Sequence, residues 1–247
     1  MVVTSTATRP LRLLAVTHGS PSTANRESVI RLVDAVASAR PEVDVAVGFV
    51  DAGEAGRGRI GNLAGSEEGA AVIVPLVLSA GFHVRTGLTQ RLERSHSSAG
   101  LAAALGPDDR IVEVLAMRLD RCGLAGDDAV VLAAAGSNDP RAQLECFETG
   151  RRLAVRLGRS VTVGFIAAGV PRLRDAVDMI REVHPARRVV VVPYLLAPGV
   201  FCDAASGVGA DVVAAPLLVP DEPAPAALVD LVLARYDEVP SDHGLGA

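Results

Sequence analysis

The chain has 247 residues, 49% of them apolar, enough to fill one large or two modest α/β cores. Its formal charge of −5, with 24 basic residues that are all arginine, argues against a general nucleic-acid binder, whose balance is normally basic. Three scattered cysteines without a Cys-x-x-Cys pair fit a reducing compartment, and no stretch reaches the roughly 18 apolar residues of a membrane span.

In chain order, short β-branched runs alternate with segments of helical period. Leu11–Thr17 reads as a strand, and Ser22–Ala39 as a helix with Val29, Leu32, Val33 and Val36 on one face. Val43–Val50 is a second strand. Gly53–Gly69 is too glycine-rich to support a strong helix. Ala70–Leu78 is a third strand, Thr86–Leu105 a helix and Arg110–Leu115 a fourth strand. After a junction near Cys122–Asp128 the order repeats. The strands are Ala129–Ala135, Ser160–Ile166, Arg188–Leu196 and Asp211–Ala214; the helices are Arg141–Leu157, Arg172–Val183, a short one after Val200, and Ala226–Tyr236.

The repetition extends to sequence. Val16-Thr17-His18-Gly19-Ser20 returns as Ala133-Ala134-Ala135-Gly136-Ser137, offset by 117 residues. Val47-Gly48-Phe49 returns as Val163-Gly164-Phe165, and Val74–Gly81 as Val192–Gly199, with offsets of 116 and 118. Such order at near-constant offset points to duplication of one unit. Continuous apolar strands separated by helices mean parallel sheets covered on both faces. The expected fold is therefore α/β, with two tandem doubly wound parallel-sheet halves, residues 1–122 and 123–247.

In such sheets ligands sit beyond the carboxyl ends of the strands. His18 follows the first strand and His83 follows the third. In the second copy Ala135 replaces His18, and Phe201 or Cys202 stands near the place of His83. Only the first half is equipped for imidazole chemistry, which means binding a divalent metal or taking a proton near neutral pH. Asp51 and Glu54 follow the second strand on the same edge. There a carboxylate can orient a histidine, collect a metal or accept a proton, although Glu54 also fits a solvated loop. Ser20, Ser22 or Thr23 can cap the next helix. Arg85, Arg91 and Arg94 cluster behind His83, either as an anion clamp or as a solvated face. His96, His184 and His243 read as surface residues. With no Gly-x-x-x-x-Gly-Lys loop, nucleotide-driven chemistry is not expected. The amino terminus has no signal-peptide pattern, so a cytoplasmic location is expected.

The motifs Thr17-His18-Gly19-Ser20, Gly48-Phe49-Val50-Asp51 and Val74-Pro75-Leu76-Val77-Leu78-Ser79-Ala80-Gly81-Phe82-His83-Val84-Arg85 resemble those of the sirohydrochlorin chelatases. These are ATP-independent class II enzymes of siroheme and cobalamin biosynthesis, which occur as single-repeat homodimers and as fused double repeats. The resemblance spans the chain. It implies a chelatase-like fold and a lyase that inserts Fe²⁺ or Co²⁺, or Ni²⁺ in a related branch, into sirohydrochlorin. It also implies that His18 and His83 bind the metal and remove pyrrole protons. For that substrate, Asp51 is expected to join the metal site, Ser20 and Gly81 to meet the substrate, and Arg85 and Arg91 to be the cations for its carboxylates. The partners expected are the tetrapyrrole, with no nucleic acid and no membrane, in a monomer or loose homodimer. The family often has glutamate at Asp51 and aspartate at Gly87. A metal- or tetrapyrrole-binding protein without catalysis is the alternative.

Overall fold

A computed structural model describes residues 11–18, 22–50, 71–79 and 99–240. The side chains of His18 and Val50, and all of Ser20, Asp51, Glu54, Gly81, His83, Arg85, Gly87, Arg91, Arg94, His96 and His243, lie outside the described residues.

The first half holds β1 (Arg12–His18), α1 (Thr23–Ala39), β2 (Val45–Val50), β3 (Ala71–Pro75), β4 (Gly100–Leu101) and α2 (Asp109–Arg121). The second holds β5 (Ala129–Ala134), α3 (Pro140–Leu157), β6 (Val161–Phe165), α4 (Leu173–Val183), β7 (Val189–Tyr194), α5 (Val200–Ser206), β8 (Val212–Val213) and α6 (Ala226–Asp237). All strand pairs are parallel, and the sheet orders are β2-β1-β3-β4 and β6-β5-β7-β8. The register repeats as well: Ala15 lies opposite Val47 and Val74, and Leu132 opposite Val163 and Val192. The duplicated α/β fold is thus present as two sheets of one topology.

Two sequence expectations need correction. Gly100–Leu101 pairs with Val72–Ile73, so the segment ending at Leu105 is extended there rather than helical. Arg110–Leu115 is not a strand but part of α2. A short apolar run cannot be told from a buried helix by periodicity alone. Asp108 caps this helix, its carboxylate accepting from the Arg110 N–H at 3.0 Å, and the apolar pattern continues at helical spacing through Ile111, Leu115 and Leu119. The run looked strand-like because the helix is buried on several sides at once.

That burial defines the architecture. Alternate strand residues point to opposite faces. Leu13, Ala15, Val72 and Val74 of the first sheet share one core with Val130, Leu132, Val190 and Val192 of the second. Leu14, Val16 and Ile73 face the other way, as do Val131, Ala133, Val189 and Val191, the latter four under α4 and α5. Between the sheets lie α1, α6, α2 and α3, and here the halves exchange elements. The last helix of the first half, α2, packs on β7 and α3; the last helix of the second, α6, packs on β3 and α1. Ala226 stands 117 residues after Asp109, so α2 and α6 are repeat equivalents traded across the middle layer.

Matched arginines seal both crossings. Arg118 of α2, only 2% exposed, donates to the Leu217 carbonyl at 2.9 Å and to Glu222 at 2.6 Å. Arg235, its repeat equivalent on α6, donates to the carbonyls of Ala104 and Leu105 at 2.8 and 3.1 Å. Both satisfy buried carbonyls that no helix or strand serves, and a buried acceptor left unpaired costs about 1–3 kcal/mol. No helix among the described residues is long and apolar enough to cross a membrane.

Candidate active site

In each sheet the chain leaves one central strand toward one edge and the other central strand toward the opposite edge. The crevice between two such strands, at their carboxyl ends, is where open α/β sheets bind ligands. In the first sheet it lies between β1 and β3. His18 is the last residue of β1, its Cα opposite that of Val50. The ladder runs on past β3, the Leu76 N–H donating to the Val16 carbonyl at 2.7 Å. The chain then leaves through Val77, Leu78 and Ser79 on the way to His83. Asp51 follows Val50 directly. The strands that precede the two sequence-predicted histidines, β1 before His18 and β3 before His83, are therefore adjacent, while His83 itself lies outside the described residues.

The second half approaches this edge from the side. The phenol of Tyr194, at the end of β7, donates to the Leu78 carbonyl at 2.7 Å. Burial raises the Tyr194 pKa, so the group stays a neutral donor. Gly106 lies beside this bond, and a Cβ there would run into both the phenol oxygen and the Leu78 carbonyl. A second tie starts on α1. Ser22 caps the helix, and the Asn25 side-chain amide in its first turn donates to the Pro198 carbonyl at 2.8 Å. Leu78 at the exit of β3 and Pro198 after β7 are thereby each tied to the other half.

Sequence reasoning missed Asn25, Arg26 and Tyr194. For Tyr194 a signal existed: it replaces Leu76 of the matching block, putting a hydroxyl into an otherwise apolar strand. The Arg26 guanidinium stacks over the Phe49 ring, 4.3 Å from its centre, and Phe49 lies opposite Thr17, the residue before His18.

At the equivalent crevice of the second sheet the chemistry is gone. Ala135 offers a methyl, and its carbonyl accepts from the Ala167 N–H at 2.9 Å. Gly136, at φ 94°, comes so close to the Ala168 backbone that any side chain there would collide. The Cys202 thiol points back to the Ala197 carbonyl at 3.6 Å, and burial pushes its pKa up to about 11. Burial therefore disfavours the thiolate, the form of cysteine that binds metal. Bound Co²⁺ is accordingly expected to show nitrogen and oxygen ligation without an intense thiolate charge-transfer band. Such a band, abolished by Cys202→Ser, would move the metal to the second half.

Among the described residues no three of His, Cys, Asp and Glu gather as a preformed metal site. A groove of about 450 Å³ is lined by Asp127, Arg159, Met179, His184 and Arg187, at the amino edge of the second sheet. It is the far end from the crevice, and His184 caps the end of α4 there, exposed as its sequence context suggested.

Comparison with known proteins agrees with this picture. SirB from Bacillus subtilis with Fe³⁺ superposes with a TM-score of 0.72 at 19% identity, over 93% of this chain and 95% of that one. SirB from Bacillus subtilis subspecies spizizenii, in complex with cobalt, gives 0.64 at 16% identity, over 93% and 94%. DR2241 from Deinococcus radiodurans, a multi-domain protein with structural similarity to chelatases, gives 0.63 at 19% identity over 95% of this chain and 56% of that one. At these identities the likeness establishes the fold. No curated protein matches in sequence. The CbiX family matches residues 12–122 and 129–205, one stretch in each half. By that double match the chain belongs to the CbiX family.

Proposed function

We propose that the chain is an ATP-independent sirohydrochlorin chelatase that inserts Fe²⁺ or Co²⁺, with Ni²⁺ a third candidate substrate. The observation that carries this reading is His18 at the carboxyl end of β1, beside the strand whose exit leads to His83, in a chain whose two halves both match CbiX. Residues 1–122 are the half that bears the active-site histidines, and 123–247 the degenerate half.

The chemistry is ligand exchange. Two pyrrole N–H protons leave, the metal sheds water, and four macrocycle nitrogens take its place. His18 and His83 offer nitrogen donors that release the metal to the stronger macrocycle, and they accept the departing protons. Asp51 completes the metal site or orients an imidazole. Ser20 and Gly81 shape the two loops, and Arg85 and Arg91 meet the substrate carboxylates. Nothing in this exchange consumes a nucleotide, in keeping with a chain that contains no lysine for a phosphate-binding loop. The expected setting is the cytoplasm, as a monomer or loose homodimer, away from nucleic acid and membrane.

Purified protein mixed with sirohydrochlorin and Co²⁺ should speed the absorbance change of insertion well beyond the rate without protein. Binding of the macrocycle at the uncatalysed rate would instead mean a carrier without catalysis.

A further inference from the structure

Nine large apolar side chains stay exposed among the described residues, and five of them border a single strand, β6, at the outer edge of the second sheet. Two stand on α3. That helix turns Cys146, Thr149, Gly150 and Leu153 inward, while its Arg152 and Arg156 reach Asp109 and Glu113 of α2 on one flank. Phe147 occupies the opposite flank, its ring edge-on to that of Phe165 at 5.5 Å, with Leu144 one turn earlier. Two more stand on α4, across the sheet. Arg174 and Arg181 of α4 reach Gly207 and Gly209, on the β8 side. Met179 and Val183 turn the other way, lining the groove of about 450 Å³ with Ser160 and Thr162 at the start of β6. The fifth, Val170, lies on the connection from β6 to α4. Duplication offers a comparison. The buried faces of α1 and α3 match at the offset of 117, Val29 with Cys146 and Val36 with Leu153. Glu27 then stands where α3 has Leu144, and Ile30 where it has Phe147.

The strand itself is open. Backbone groups along a strand alternate sides. The Ile166 N–H points to the Ala134 carbonyl of β5, and the Phe165 N–H points away, to the Pro171 carbonyl. By that alternation Val161 and Val163 direct both N–H and C=O outward, where no strand pairs with them among the described residues. An edge of this kind is a template for another strand.

We propose that β6 pairs antiparallel with β6 of a second copy of this chain, about a two-fold axis at Thr162. Val161 of each copy exchanges two hydrogen bonds with Val163 of the other, and Thr162 faces its own counterpart as the non-hydrogen-bonded pair between them. The register follows from the strand. A shift toward Phe165 meets a donor already given to Pro171, and a shift the other way runs off the start of β6. Gly150 seats α3 over both Val163 and Leu132, between β6 and β5. The two copies of α3 then run about 10 Å apart, a packing distance for helices, with Phe147 between them. On the other face the antiparallel arrangement brings Val170 of one copy toward the groove of the next. The five side chains expose on the order of 500 Å² per copy, so a pair removes about 1,000 Å² before the strand is counted, the scale a lasting interface has to clear. A two-fold contact uses one patch twice and needs no second surface. The inference goes beyond the chelatase reading and does not depend on it.

The test uses the full chain. Sedimentation at micromolar concentration should give twice the mass of one chain. The double variant Leu144→Glu, Met179→Glu changes only exposed positions, so its circular dichroism should match the wild type while its dimer dissociates about tenfold more readily or worse. Ile30→Glu, on the matching helix of the first half, should dimerise as the wild type does. Thr162→Cys checks the register. Under a mild oxidant it should lock two copies through one disulfide, since such partners stand about 4.5 Å apart at Cα, and the wild type with Cys122, Cys146 and Cys202 should not cross-link. A wild type that stays monomeric at hundreds of micromolar, a dimer indifferent to the double variant, one lost in Ile30→Glu instead, or a Thr162→Cys dimer that does not cross-link would overturn the proposal. None of these readouts involves metal insertion, so failure here leaves the chelatase reading untouched.

Discussion

His18→Ala and His83→Ala should each slow Co²⁺ insertion into sirohydrochlorin by about 10² or more, the usual range for a positioned base or ligand. The two losses should not add. When two groups act on one metal and one pair of protons, removing either disables the unit, so the double variant should resemble the worse single one. The structural ground is that β1 and β3 are adjacent strands whose carboxyl ends bound one crevice. The second half offers no imidazole there, since the place of His18 is taken by Ala135, and burial disfavours the Cys202 thiolate. His184→Ala is the matched control, because that residue lies exposed at the opposite edge, and His96→Ala should behave likewise. Initial rates at saturating macrocycle, measured beside Co²⁺ affinity, check this. Wild-type turnover by the double variant would remove both histidines from the mechanism.

Deleting α6, by ending the chain after Glu222, should unfold the first half rather than the second. The helix buries Leu228, Val229, Leu231, Val232, Leu233 and Tyr236. At about 1.5–3 kcal/mol for each large apolar side chain buried, its removal costs on the order of 10 kcal/mol, comparable to the whole stability of a domain. The loss falls on the distant sheet because α6 covers β3 and packs on α1, and the Tyr236 phenol donates to the Leu11 carbonyl at 2.6 Å. Amide exchange is the decisive measurement. Protection should vanish first in β1 and β3, although the cut lies more than a hundred residues further along the chain. Retained protection in β1 and β3, with a cooperative urea transition of unchanged midpoint, would refute the exchange of helices as the source of stability.

Much of this architecture could be read from residues alone, for identifiable reasons. Valine-rich strands such as Val189–Tyr194 are buried on both faces, so they appear as unbroken apolar runs. Helices with one wet face, such as Pro140–Leu157, announce themselves by period, by the Asp139 cap and by Gly158 in the left-handed conformation at the far end. α2 is not legible in this way, because its apolar side chains meet two elements at once and blur the helical period. The exchange of α2 and α6 leaves no mark either, because equal sequence patterns dictate equal elements and say nothing about which sheet each covers. At the site, the motif around His18 was legible because a polar cluster interrupts an apolar strand end. Asn25 was not, since its partner is a backbone carbonyl 173 residues away and leaves no mark in sequence.

The traded helices bear on how such a chain diverges after duplication. A copy that has lost its imidazoles would ordinarily be free to decay or to be deleted. Here the first sheet takes its floor from the final helix of the second copy, and the second sheet takes its floor from the first. Loss of either copy would strip the survivor of a wall. The histidine-free copy is thus retained by a debt of packing rather than of chemistry.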